Sequence, residues 1–143
     1  MPPIESSSQA EPIFRQAILI DDEQVSNFIA RHWLEKNGLA KQVIECSSAQ
    51  QALEWFAHHP VGESTDLVLL DIHMPEMDGF ELLEEVFRAP VSLGERAYLF
   101  LLTSSLYVGD VTQAERFPVT GYLIKPLTEE KLQHIVHSVK LMS

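Results

Sequence analysis

Four short polar clusters in this 143-residue chain are of types and spacing that suit chemistry: Asp21-Asp22-Glu23, Asp71, Thr103-Ser104 and Lys125-Pro126. Each follows a short apolar run. Carboxylates brought together on one edge repel one another and raise their own pKa values unless a cation sits among them. All-oxygen ligation by a few carboxylates and several waters is the style of Mg²⁺, which readily shares a phosphate oxygen. A lysine beside such a metal supplies a compact point charge for phosphate, and a hydroxyl supplies a donor. Asp71, alone at the end of its run, is best placed as a nucleophile that attacks an activated phosphorus to give an aspartyl phosphate. Asp21 and Asp22 are then expected to hold the metal. Phosphoryl transfer depends mainly on positioning and charge neutralisation, so a carboxylate, Mg²⁺, Lys125 and Thr103 suffice without a general base.

The runs that carry these clusters read as buried strands. Ala17 to Ile20 is the first, Gln42 to Cys46 the second, Asp66 to Asp71 the third, Ala97 to Leu102 the fourth and Gly121 to Pro126 the fifth. Helical patterns separate them. Val25, Phe28, Ile29 and Trp33 recur at helical spacing before Asn37-Gly38, and Ala49, Ala52, Leu53, Phe56 and Ala57 form a second stripe after a cap at Ser47 or Ser48. A third helix carries Phe80, Leu83, Val86 and Phe87 and is closed by Pro90 and a loop through Gly94. A fourth lies between Leu106 and Phe117, with Asp110 as its expected cap. The last opens at Thr128 and presents Leu132, Ile135, Val136 and Val139 on one face. Uniformly apolar strands alternating with helices predict a doubly wound α/β fold, a parallel sheet with helices on both faces. In such sheets functional groups gather at the carboxyl ends of the strands, where all four clusters are expected.

Composition narrows the function classes. With 45% hydrophobic and 22% charged residues the chain has the make-up of one globular domain. Residues 1–14 lack periodicity and read as a flexible leader to a domain of residues 15–143. The net charge of −11 disfavours direct contact with nucleic acid or an anionic membrane. No secretory signal or membrane-length apolar run is present, and the single cysteine, Cys46, cannot form an internal disulfide, so a reducing cytoplasm is the expected location. Cys46 reads as a small core hydrophobe and Trp55 as the cover of a core edge. His134 and His137, three apart on the last helix, could share a metal but read as solvent-facing beside the Leu132, Ile135 and Val136 stripe; His58-His59 reads as a frayed helix end and His32 as an ordinary helix residue.

Taken in order, Ile20-Asp21-Asp22-Glu23, Leu70-Asp71-Ile72-His73-Met74-Pro75 with Met77-Asp78-Gly79, Leu102-Thr103-Ser104, and Tyr122-Leu123-Ile124-Lys125-Pro126 resemble the receiver domain of two-component response regulators. The resemblance runs from about Ile18 to Met142. It implies the flavodoxin-like five-stranded order 2-1-3-4-5 and makes Asp71 the phosphoacceptor. It places Mg²⁺ on Asp22, Asp71 and the backbone carbonyl of His73, with Asp21 acting mainly through water. It further implies that Lys125 contacts the acyl phosphate, that Thr103 turns inward to a phosphoryl oxygen and that Tyr122 is the switch aromatic. A cis peptide before Pro126 is also implied. The implied partners are a histidine kinase or histidine phosphotransfer protein and a downstream protein that docks on the fourth helix, fifth strand and last helix. The active form would be a monomer or a phosphorylation-dependent dimer.

The chain departs from the family pattern at His73, where a polar residue such as Asn is common, and at Arg116-Phe117-Pro118-Val119-Thr120-Gly121. No output domain is expected beyond the last helix, so the resemblance implies a stand-alone receiver with no enzymatic activity beyond its own phosphorylation and dephosphorylation. Two other readings stay open. One is a receiver-like docking module that works without phosphorylation, which would normally lack one of the acids or the lysine. The other is an aspartyl-phosphate phosphohydrolase, which would call for a second Asp at position 73 and a substrate cap.

Overall fold

The structure, a computed structural model, describes residues 11–88, 93–94, 96–105 and 107–142. Most of the expected leader, Pro90 and Leu106 lie outside the described residues. Strands β1 (Phe14–Ile20), β2 (Ala40–Cys46), β3 (Asp66–Leu70), β4 (Ala97–Thr103) and β5 (Gly121–Ile124) alternate with helices α1 (Gln24–Lys36), α2 (Ala49–His58), α3 (Gly79–Arg88), α4 (Val108–Ala114) and α5 (Glu129–Met142). The sheet is parallel throughout, in the order β2-β1-β3-β4-β5. The chain steps from β1 outward to β2, then back across β1 to β3. The switch of direction therefore lies between β1 and β3, where a doubly wound sheet opens its crevice. Asp21, Asp22 and Asp71 follow those two strands directly.

Alternation along each strand divides the core into two layers. Ile18, Ile20, Val68, Leu70, Leu99 and Leu101 face one side with Ala52 and Phe56 of α2 and Leu83 and Val86 of α3. Ala17, Leu19, Leu67, Leu69, Phe100 and Leu102 face the other with Ala30 and Leu34 of α1 and Leu132, Ile135 and Val139 of α5. Cys46 is buried in the first layer, and Trp55 packs at its edge while stacking on His59 with ring centroids 3.5 Å apart. His32, His58, His59, His134 and His137 are all exposed.

Several elements differ from the sequence reading. Strand β1 begins at Phe14, three residues before the apolar run, because Arg15 and Gln16 are polar for a structural reason. Both donate to the fully buried carboxylate of Asp66 at the start of β3, which also accepts the Gly62 amide. Strand β2 begins two residues earlier than expected, at Ala40. In α1 the expected stripe is wrong at Val25 and Phe28, which are 69% and 68% exposed, whereas Trp33 packs against the core and Asn27, Ala30 and Leu34 are buried. The inward-facing asparagine conceals that spacing from a hydrophobic count. Ala57 in α2 is likewise exposed. Asp110 does not cap α4 but sits inside its first turn, where its carboxylate accepts the Tyr107 amide at 3.3 Å. Ser48, one of two candidates, caps α2 by accepting the Gln51 amide.

The corrected α1 face has a direct consequence for stability. Leu34→Ala is expected to cost about 2–5 kcal/mol, the range for a fully buried leucine. Phe28→Ala is expected to stay within about 0.5 kcal/mol of wild type. Urea unfolding of both variants checks the assignment, and the expected stripe would have ranked them the other way.

Candidate functional site

At the carboxyl edge of the sheet the backbone is fixed before the side chains are. The Asp21 amide donates to Cys46 O at 3.0 Å and the Asp71 amide to Ile20 O at 2.9 Å, extending the ladder one residue past each strand. The two acids thus emerge from adjacent strands at the same level. On the far side the Lys125 amide donates to Thr103 O at 2.7 Å, which ties the end of β5 to the end of β4. The Lys125–Pro126 peptide is cis, as expected.

The side chains converge on one ammonium. Lys125 Nζ lies 2.8 Å from Asp21 Oδ2, 2.9 Å from Glu23 Oε1 and 3.3 Å from Asp71 Oδ2. Asp21 and Asp71 are buried, Asp22 is exposed, and one carboxylate oxygen from each of these three acids falls within 4.8 Å of the others. Asp21 Oδ1 accepts the Glu23 amide, and Asp71 Oδ1 accepts the His73 amide. Burial pushes the Asp71 carboxyl up to about 6, with the neighbouring Asp21 charge adding to the effect against the pull of the His73 amide and Lys125. Burial opposes the Lys125 charge too, but its contacts with Asp21 and Glu23 outweigh that and hold its pKa above the ordinary value. Lys125 in turn holds the Glu23 carboxyl below its usual range. Cys46 has only burial acting on it, which pushes the thiol up to about 11 and leaves it inert, in keeping with a core role.

A hard divalent cation fits this donor set. Its ligating atoms are carboxylate oxygens, Asp22 keeps one side open to water, and the crowding of Asp21 and Asp71 is what an added cation relieves. The acidic triad is typical of the Mg²⁺-binding site of receivers.

The loop after Asp71 is held tightly. A Cβ on Gly79 would come within 2.8 Å of Asp71 O and Ile72 Cα, so only glycine lets α3 start this close to Asp71. Asp78 and Glu81 cap that helix reciprocally, each side chain accepting the other's amide. His73 is half-exposed, with Nε2 3.5 Å from Asp110 Oδ2 on α4. Thr103 is fully buried, and its hydroxyl donates to Ser105 O at 3.0 Å. Tyr122 sits on β5 and is 36% exposed. The structure thus brings Asp21, Asp22, Asp71 and Lys125 into one cluster, with His73 on the loop after β3, Thr103 at the end of β4 and Tyr122 on the outer strand β5.

Residues 17–137 match the Response regulator receiver domain family. The chain belongs to that family. A probable methanogenesis regulatory protein, FilR2, of Methanothrix harundinacea is 29% identical over 126 residues, spanning 86% of this chain and 79% of that protein. The Regulator of RpoS of Escherichia coli K12 is 26% identical over 115 residues, 80% of this chain but 31% of that protein. The rice response regulator ORR21 is matched over 18% of its length. A response regulator receiver protein of Dyadobacter fermentans has the same fold with a TM-score of 0.74, at 28% identity, over 87% of this chain and 97% of that one. The chemotaxis protein CheY4 of Vibrio cholerae, at 21% identity, shares the fold with a TM-score of 0.73 over 88% of this chain and 98% of its own. Receivers work generally with histidine kinases and are usually cytoplasmic. No helix among the described residues is long and apolar enough to cross a membrane.

Two residues of the receiver site escaped the sequence reading. Glu23 was visible only as the tail of an acidic triplet, yet it is the third carboxylate on Lys125. Asn27 is buried on the inner face of α1 and donates to Asp21 O at 3.1 Å. Its signal was present as a polar residue in phase with Ala30 and Leu34.

The raised Asp71 pKa makes stability depend on pH. The folded receiver holds the Asp71 proton more tightly than the unfolded chain, so this contribution is complete below about pH 4 and is lost as pH rises through about 6. With chelator present, Asp71→Asn is expected to melt roughly 4 °C above wild type at pH 7.5, and the gap should close by pH 4. Saturating Mg²⁺ should narrow it at pH 7.5. Thermal unfolding across that pH range, with chelator or Mg²⁺, is the check.

Proposed function

We propose that this receiver is a phosphorylation-dependent signalling switch or phosphorelay intermediate that takes a phosphoryl group onto Asp71 from a histidine kinase or histidine phosphotransfer protein. The observation that carries the reading is the Lys125 ammonium set 3.3 Å from Asp71 Oδ2 and 2.8 Å from Asp21 Oδ2 at the switch point of the sheet. An Asp71 oxygen attacks phosphorus as the bond from phosphorus to the donor's imidazole nitrogen breaks. The electron pair leaves with that nitrogen, and the proton already on the imidazole's other nitrogen keeps the leaving group neutral. Asp22, Asp71 and the His73 carbonyl, with Asp21 through water, would hold Mg²⁺, which would supply charge neutralisation for the phosphoryl oxygens. Lys125 shares that work as a point charge and stays paired with Asp21 and Glu23 meanwhile.

The same residues couple the acceptor to the surface. In the unphosphorylated protein the Thr103 hydroxyl is occupied by Ser105 O. A phosphoryl oxygen on Asp71 is a stronger acceptor than a carbonyl, so the hydroxyl turns toward it. Tyr122, on the strand paired with β4, then moves inward. That shift alters a face bearing exposed Tyr107, Val108, Tyr122 and Ile124, which suits a downstream protein and not nucleic acid. The cytoplasm is the matching compartment.

Incubation with acetyl phosphate and Mg²⁺ followed by intact mass measurement tests the chemistry. Wild type is expected to gain one phosphoryl mass, lost with EDTA and absent in Asp71→Asn. No adduct, together with no response to beryllofluoride, would instead make the chain a receiver-like docking module that works without phosphorylation.

A further inference from the structure

Lys131 is a cation in the wrong place for its helix. The Lys131 amide donates to Thr128 Oγ1, which makes Thr128 the N-cap of α5 and puts Lys131 in the first turn. The positive end of the helix dipole disfavours a cation there. Lys36 and Lys41 each pair with a carboxylate, Glu129 and Glu11, and Lys125 with three. Lys131 Nζ instead donates to two backbone carbonyls, Ile124 O and, at 3.1 Å, Pro126 O. These are the residues immediately before and after Lys125.

The contact has a place in the fold. Strand β5 is the edge of the sheet, so it lacks a neighbouring strand on its outer side. On its inner side the Lys125 amide is fixed to Thr103 O at 2.7 Å. Beyond Ile124 the strand ends, and the Lys131 ammonium takes over as partner to the main chain on both sides of Lys125. The backbone that aims the Lys125 ammonium is thereby held at three points, by groups from β4 and α5. An ammonium is suited to this role because it has three rotatable donors and can serve two diverging carbonyls.

We propose that Lys131 is a positioning residue for phosphoryl binding, which sets the reach of the Lys125 ammonium by holding the carbonyls on either side of it. The inference rests on the phosphoacceptor reading of Asp71 and names a residue outside the four clusters. Lys131 touches neither Asp71 nor the acids of the metal site; its influence passes through Lys125. Its loss should therefore weaken binding of a phosphoryl mimic and spare binding of the metal alone.

The test uses Lys131→Met and Lys131→Arg, each alone and with Lys125→Met. Beryllofluoride binding in saturating Mg²⁺ is followed by fluorine NMR, and Mg²⁺ binding by calorimetry. Lys131→Met is expected to weaken beryllofluoride binding roughly tenfold, the scale of lost supporting contacts around a charged site, with Mg²⁺ affinity changed less than about twofold. Lys131→Arg should recover most of the loss, and in a Lys125→Met background Lys131→Met should have no further effect. Amide hydrogen exchange gives a readout independent of the phosphoryl chemistry: the Lys125 amide should exchange faster in Lys131→Met, with the amides of β1 and β3 unchanged. An equal loss in both backgrounds, a parallel loss of Mg²⁺ affinity, or unchanged exchange at Lys125 would overturn the role of Lys131. Wild type failing to bind beryllofluoride while exchange at Lys125 does respond to Lys131→Met would overturn the phosphoacceptor reading and, with it, the functional half of this proposal.

Discussion

The Lys125 ammonium, surrounded by the carboxylates of Asp21, Glu23 and Asp71, is the interaction on which the rest of this receiver depends. Two buried acids on adjacent strands repel each other, and in a compact domain stable by only about 5–15 kcal/mol such crowding cannot be left unanswered. Lys125 answers it in part, while burial, with the Asp21 charge adding to it, still holds the Asp71 pKa above its ordinary value. A divalent cation among these oxygens would offset both the burial and the Asp21 charge. A site satisfied by its own lysine alone would gain little from one.

A third buried carboxylate shows the contrast. Asp66, at the opposite end of the same sheet, accepts from the Arg15 guanidinium, the Gln16 amide and the Gly62 backbone amide. Its lone pairs are used, and it joins β1, β3 and the loop before β3 as a structural fastening. Asp71 has one backbone donor and a share of one lysine. The difference in partners, not in residue type or depth, separates a carboxylate that holds the fold from one that is free to react.

The sheet and the acid cluster were legible because two independent patterns coincided. Apolar runs long enough for buried strands located β1, β3, β4 and β5, and the polar residues ending those runs had to meet at one edge once the connections were right-handed crossovers. What escaped was of a different physical kind. Arg15 and Gln16 hide the start of β1 from an apolar pattern because their partner, Asp66, is 51 and 50 residues away. Asn27 hid the inner face of α1, and Val25 and Phe28 offered a false one, since a hydrophobic count treats a satisfied buried amide as surface. Asp110 reads as a cap because acids favour both the cap and the first turn, and only the backbone decides between them.

Lys131 belongs to the same class of hidden residue, and the reason is general. Sequence patterns reveal what a side chain avoids, water or a like charge, far better than which main-chain atoms it will serve. A lysine in the first turn of a helix is an anomaly that α5 itself does not explain, and Glu129 and Glu130 beside it make the turn appear merely charged. The explanation lies on the edge strand, where Ile124 and Pro126 present carbonyls on either side of the residue that faces the acceptor. In a doubly wound sheet the site is at the ends of strands, so the groups that aim its side chains must come from the helices and loops that follow. Where the Lys125 ammonium points therefore depends on how the first turn of α5 is built, with Lys131 six residues beyond it.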